Sequence, residues 1–363
     1  MIKKKEIALV LTTTFLTSLL GLILIEGYYL KSGYSSLVCE ICQCHPKLGW
    51  ETISGKTISN GKVKYSTNSM GMRSEEVDFS KGHILLTGDS VTFGLGVNNN
   101  ETVSHYLEKE YKKYQVLNLG VPGYGIGQYF LNLQRHIDRL NSKLIVLIIY
   151  TGNDLDETRK ETRYGISKPF FHYKNGKLHH LNPHISKYSC SNLYTRLRFV
   201  KYLIPKTLID KCQVRIIERN KVSLTIAKLI HEIRALGLQK NIPTLIVLSP
   251  ALTAVEATVC RQSGIPSACD EYDIGFEAYY NFFHTMMKVH QLPYIDFIQN
   301  LIKFGYKEDI RTLYGNNGQD IHHYSPKGNS ILSKAITATA PASSAIFACS
   351  TLVTSIITPP FSI

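Results

Sequence analysis

From His83 onward, short unbroken apolar runs alternate with stretches whose apolar residues recur at helical spacing. Ile84-Leu85-Leu86 runs straight into Gly88, the pattern of a strand buried on both faces. Residues 101–113 read as an amphipathic helix, Val116 to Leu119 as a second strand and residues 127–140 as another helix. Leu144 to Tyr150 is the strongest strand signal, apolar at every position and so suited to the centre of a parallel sheet. A helix over 222–237, a strand over Thr244 to Leu248, a helix near 273–290, a strand at Tyr294 to Phe297 and a final helix after Ser325-Pro326 complete the alternation. Strands alternating with helices predict a doubly wound α/β fold with a central parallel sheet. Residues 155–220 break the pattern and read as an insertion over the sheet, with some helix near 192–204.

The other end of the chain has a different character. Lys3, Lys4, Lys5 and Glu6 precede an uncharged apolar stretch from Ile7 to Ile25. Those nineteen residues would make a helix about 28 Å long, close to a bilayer core. Three lysines ahead of it favour a cytoplasmic N-terminus over residues 1–6, an anchor over 7–30 and an extracytoplasmic remainder. Tyr28 and Tyr29 would then stand at the membrane interface. A signal peptide followed by secretion is the competing reading, but no small-x-small cleavage site follows the apolar stretch. Residues 31–80 read as a juxtamembrane connecting region that holds the single tryptophan, Trp50. Residues 337–363 read as a peripheral apolar tail, because Ala345 to Ile357 is short for a span.

Lysine and arginine outnumber aspartate and glutamate by 41 to 28. No dense basic run and no nucleic-acid module accompanies that excess, which suits a surface facing an anionic membrane rather than DNA or RNA. Eight cysteines in an exported chain favour disulfides. Cys260 and Cys269 flank a Gly/Pro/Ser loop and form the best local pair, although the full map stays open. Cys39, Cys42, Cys44 and His45 could hold zinc, but no second pair follows at finger spacing.

Four blocks carry chemistry: Gly88-Asp89-Ser90, Asn118-Leu119-Gly120-Val121-Pro122-Gly123, Gly152-Asn153-Asp154 and Asp320-Ile321-His322-His323. Ser90, Gly123 and Asn153 each fall just after a predicted strand, so the fold should bring them to one edge of the sheet. A serine hydroxyl needs a base to become a nucleophile, and a histidine three residues after an aspartate can have its tautomer fixed by that carboxylate. His323 fits this role, although His322 also lies within reach of Asp320. Backbone N–H groups at Ser90 and Gly123 and the Asn153 amide would supply three oxyanion donors.

The same blocks resemble the SGNH subgroup of the GDSL esterase/lipase superfamily. The likeness extends through Gly88-Asp89-Ser90-Val91-Thr92-Phe93-Gly94-Leu95-Gly96-Val97 and His323-Tyr324-Ser325-Pro326-Lys327-Gly328, and covers about residues 82–336. Asn68-Ser69-Met70-Gly71-Met72-Arg73 is similar to a stretch before the core of some bacterial members. The resemblance implies a flavodoxin-like three-layer α/β/α domain over 81–336. It implies Ser90 as nucleophile, His323 as base, Asp320 as its partner, Ser90, Gly123 and Asn153 as the oxyanion hole, and no metal or cofactor. The expected activity is hydrolysis of an ester on a cell-envelope glycan or lipid. O-acyl transfer to a surface polysaccharide and a non-catalytic binding protein are the alternatives.

Overall fold

The computed structural model describes residues 4–31, 40–163, 166–182, 217–218, 221–262, 274–303, 306 and 308–339. Its centre is a five-stranded parallel sheet built from β1 (Gly82–Thr87), β2 (Tyr114–Asn118), β3 (Ser142–Tyr150), β4 (Thr244–Ser249) and β5 (Ile295–Asp296). Across the sheet the strands run β5-β4-β3-β1-β2, the flavodoxin-like order. The chain steps from β1 outward to β2, then crosses back to lay β3 on the other side of β1. That reversal creates a crevice at the carboxyl ends of β1 and β3.

The period of two along β3 sorts its side chains into two cores. Leu144, Val146, Ile148 and Tyr150 face one layer of helices, while Ile145, Leu147 and Ile149 face the other. All seven are buried. Burying each Leu, Ile or Val contributes roughly 1.5–3 kcal/mol, so this strand alone anchors both layers. The first layer contains α3 (Val103–Glu110), α7 (Leu252–Gln262), α9 (Phe297–Lys303) and α10 (Pro326–Thr339). The opposite layer contains α4 (Ile126–His136), α6 (Val222–Leu238) and α8 (Ile274–Val289). Two short helices, α2 (Ser90–Phe93) and α5 (Asp154–Arg159), start where β1 and β3 end.

The boundaries move where local chemistry dictates. The first helix predicted here begins later and stops earlier, because Thr102 caps α3 by accepting from the His105 N–H and Tyr111 ends it. The last strand shrinks to Ile295–Asp296, since Phe297 opens α9. The stretch between helix α1 (Lys4–Lys31) and the sheet is more than a connector. It forms two antiparallel hairpins, Cys42–His45 with Gly49–Thr52 and Thr57–Asn60 with Val63–Ser66. His45 Nδ1 accepts from the Lys47 and Leu48 N–H groups and closes the first hairpin. Cys42 and Cys44 are both disulfide-bonded, so neither offers a thiolate to zinc. Among the described residues no group of three or more His, Cys, Asp or Glu side chains is placed to hold a metal ion.

Within α1, Lys5–Ile25 is long and apolar enough to cross a membrane, and its apolar side chains are exposed. The Tyr28 and Tyr29 side chains, the Cys260–Cys269 pairing, the helix expected near 192–204 and the tail from 340 onward lie outside the described residues. What is described of the 155–220 segment includes most of α5, a short antiparallel pair of Thr162–Arg163 with Ile166–Ser167, and a hairpin of Phe170–Lys174 with Lys177–Leu181.

Candidate active site

Ser90 is the first residue of α2, directly after β1. An ordinary turn serine would spend its hydroxyl capping the helix. Here Asp89 is the cap, its Oδ1 accepting from the Val91 N–H at 2.9 Å. Gly94, at φ 82°, ends the helix after one turn. The Ser90 hydroxyl is thereby left for another partner, and that partner is His323: Nε2 lies 3.0 Å from Ser90 Oγ.

His323 reaches Ser90 from 233 positions along the sequence because Asp320–Tyr324 forms a short extended segment before α10. His323 Nδ1 is 2.9 Å from Asp320 Oδ2. Asp320 Oδ1 accepts from the backbone N–H groups of His322 and His323 at 3.0 and 3.1 Å. Burial works against the Asp320 charge. The His323 ring and these two N–H donors outweigh it and pull the carboxyl down to about 2. An ionised Asp320 accepts from Nδ1–H, which leaves Nε2 unprotonated and able to take the Ser90 proton.

His322 turns elsewhere. Its Nδ1 lies 2.7 Å from the Tyr150 hydroxyl, and its ring packs edge-on against Tyr150 and Phe276. Burial, then the neighbouring His323, lowers its pKa and favours the neutral ring. Of the two adjacent histidines, the structure joins His323 to Ser90 and Asp320 and ties His322 to the end of β3.

The remaining blocks meet the nucleophile turn from β2 and β3. Leu119 and Val121 donate backbone hydrogen bonds to Leu86 and Gly88 carbonyls, fastening the 119–123 loop beside Ser90. Gly120 fits so closely that an added Cβ would lie 2.4 Å from the Phe93 nitrogen. Gly123 has φ 80°, a left-handed conformation that favours glycine. Asn153 Nδ2 donates to Asp89 Oδ2 at 3.2 Å, which holds the amide beside the turn. An asparagine amide has two N–H groups, so one remains after this bond. The Ser90 N–H belongs to the first turn of a helix, where backbone donors have no intrahelical acceptor.

Sequence reasoning gave no role to the acids beneath this rim. Asp89 is fully buried, and burial raises its pKa. Asp154 is also fully buried, accepting from the Tyr129 hydroxyl at 2.5 Å and the Tyr150 N–H at 2.9 Å. Burial again raises its pKa, well above the usual carboxylate value. It pins the start of α5, and so Asn153, to β3 and α4.

Arg73, the last residue of the Asn68-to-Arg73 stretch, is 2% exposed and braces the far end of α2. Its guanidinium lies between the Tyr65 and Phe93 rings, 4.7 Å from each. It donates to the carbonyls of Phe93, Gly94 and Val97 and to Asn99 Oδ1. The one available signal was an arginine in a turn-rich stretch with no acidic neighbour before Glu75.

No protein-family profile matches the sequence, and no curated protein matches it. Solved structures do. A member of the lipolytic protein G-D-S-L family from Veillonella parvula DSM 2008 matches 72% of this chain and 99% of its own, at 12% identity and TM-score 0.39. An acetyl xylan esterase matches 71% and 98%, at 14% identity and TM-score 0.39. The lipase/acylhydrolase from Enterococcus faecalis matches 71% and 94%, at 12% identity and TM-score 0.39. At these identities and TM-scores the likeness carries no argument of its own, and both the fold and the chemistry of the site rest on the chain's own residues.

Proposed function

We propose that this chain is an SGNH-type serine hydrolase that cleaves an ester of a cell-envelope glycan or lipid, held at the membrane by α1. The observation that carries the reading is the continuous relay from Asp320 through His323 to Ser90, with contacts of 2.9 and 3.0 Å. His323 Nε2 takes the Ser90 proton as Oγ attacks the ester carbonyl. The negative charge on the former carbonyl oxygen is met by the N–H groups of Ser90 and Gly123 and the second N–H of Asn153. His323 then protonates the departing alcohol, and the acyl group stays on Ser90. Water enters, loses a proton to His323 and releases the acid.

For location, the lysines before Lys5–Ile25 favour a cytoplasmic start, with the hydrolase outside. The disulfide-bonded Cys42 and Cys44 agree with an oxidising compartment.

Labelling with a fluorophosphonate tests the enzyme reading directly. Full-length protein in detergent should take up one probe per chain, and Ser90→Ala should take up none. Absence of labelling in the unaltered chain, or equal labelling in the variant, would refute it. Comparing acetate release in water with acetyl transfer to added glycan separates hydrolysis from transfer.

A further inference from the structure

The chain's single tryptophan lies outside the sheet, in the first hairpin, and is completely buried. Its indole Nε1–H donates to the Pro122 carbonyl at 2.9 Å, across 72 residues of sequence. Pro122 precedes Gly123, so this carbonyl belongs to the same peptide unit as the Gly123 N–H. The chain has no cis peptide bond among the described residues. In a trans peptide the C=O and N–H point to opposite sides. Holding the carbonyl from the hairpin side therefore aims the N–H away from the hairpin.

The turn itself makes that grip matter. Tyr124 N–H donates to the Val121 carbonyl at 3.2 Å, which makes Val121 to Tyr124 a β-turn. Proline at its second position and a glycine at φ 80° at its third are the signature of type II. Type I and type II turns differ chiefly by rotation of the central peptide, here Pro122–Gly123. Flipping to type I would reverse the Gly123 N–H. The hairpin is itself fastened by two further bonds, one from Tyr124 beside the loop and one from α4. The Tyr124 hydroxyl donates to the Trp50 carbonyl at 2.5 Å, and Gln128 Nε2 donates to the Leu48 carbonyl at 2.8 Å. The Trp50 and Tyr124 rings meet edge-on at 5.7 Å.

We infer that Trp50 is a positioning residue that locks the Pro122–Gly123 peptide in the orientation presenting the Gly123 N–H to the oxyanion, an inference that rests on the hydrolase reading above. A donor on the carbonyl also polarises the peptide and strengthens its N–H as a donor, by about 10–30% in condensed-phase estimates.

The test uses the full-length protein in detergent and two replacements. Trp50→Phe removes the N–H and part of the ring. A benzothienylalanine at position 50 keeps the ring's size and replaces only the N–H by sulfur, so it separates the hydrogen bond from packing. Active sites are counted by fluorophosphonate uptake at completion, and 4-nitrophenyl acetate turnover is expressed per labelled site. Outright loss of an oxyanion donor costs about 10²–10³-fold in rate, so loss of its orienting contact should cost about tenfold in kcat. KM should change less than twofold. The inhibition constant of a trifluoromethyl ketone, which forms the tetrahedral anion, should rise by the same factor as kcat falls. A merely structural tryptophan would lower the number of labelled sites without changing turnover at each. If the unaltered chain is labelled and the benzothienyl variant turns over at its full rate per site, the inference falls and the hydrolase reading stands. If the unaltered chain takes no label, the hydrolase reading falls first.

Discussion

Asp320→Asn exploits an asymmetry in how this carboxylate is held. Oδ1 accepts from two backbone N–H groups, of His322 and His323, and lies 3.2 Å from His323 Nδ1, while Oδ2 faces that nitrogen more closely, at 2.9 Å. The two main-chain donors require an acceptor, so the asparagine oxygen must take the Oδ1 position. The amide NH₂ is then forced onto Nδ1. The imidazole meets this nearer neighbour by carrying its proton on Nε2, and an Nε2–H cannot accept the Ser90 proton. The substitution thus leaves the shape of the site intact and selects the wrong tautomer. In a serine protease the corresponding change costs about 10⁴-fold in kcat, and the same order is expected here. Initial rates on 4-nitrophenyl acetate between pH 6 and 8, divided by the number of folded molecules, would measure it. A loss of less than tenfold would refute the tautomer argument and place the orienting charge elsewhere.

The site sets four other outcomes. His323→Ala should lower kcat roughly 10²–10⁴-fold, the usual share of a general base. His322→Ala, which removes the ring's contacts to Tyr150 and Phe276, should stay within about tenfold of the starting rate; steady-state kinetics on the pair would show the reverse order if the roles were exchanged. Gly120→Ala forces a Cβ to within 2.4 Å of the Phe93 nitrogen and 2.8 Å of the Thr92 carbonyl carbon. Both are backbone, so α2 must move, and thermal unfolding should show a loss of about 1–3 kcal/mol alongside slower labelling of Ser90. Finally, Asp320 has a folded value of about 2, below its ordinary value of 3.8. The stabilisation it brings is therefore present above about pH 4 and lost as the pH falls towards 2. Because the Asp320 side chain is 33% exposed, its contribution is discounted to about 1 kcal/mol; acid titration of Asp320→Asn should lack that part of the transition.

Much of the architecture was readable because its signals are local. Leu144 to Tyr150 is apolar throughout since the strand is buried on both faces. The position of Ser90 could be placed from the apolar run that ends at Gly88. The choice between His322 and His323 was less legible. Both are within reach of Asp320 in sequence, and only the fold shows that Tyr150 engages one and Ser90 the other. The roles of Trp50 and Arg73 were not legible at all. Their partners are main-chain carbonyls of distant residues, Pro122 and Phe93 to Val97. A carbonyl has no residue type, so a sequence carries no mark of which one a buried donor will find.

The first hairpin has a consequence for where this chemistry can happen. One strand begins at Cys42, the next grips the oxyanion loop through Trp50, and α1 ends at Lys31. Only positions 32–41 separate the hairpin from the helix. Even fully extended, ten residues reach about 35 Å. On the proposed reading, with α1 kept as an anchor, Ser90 would work on a short leash. It would then sweep only a thin shell next to the lipid, and a substrate would have to come into that shell to be cut.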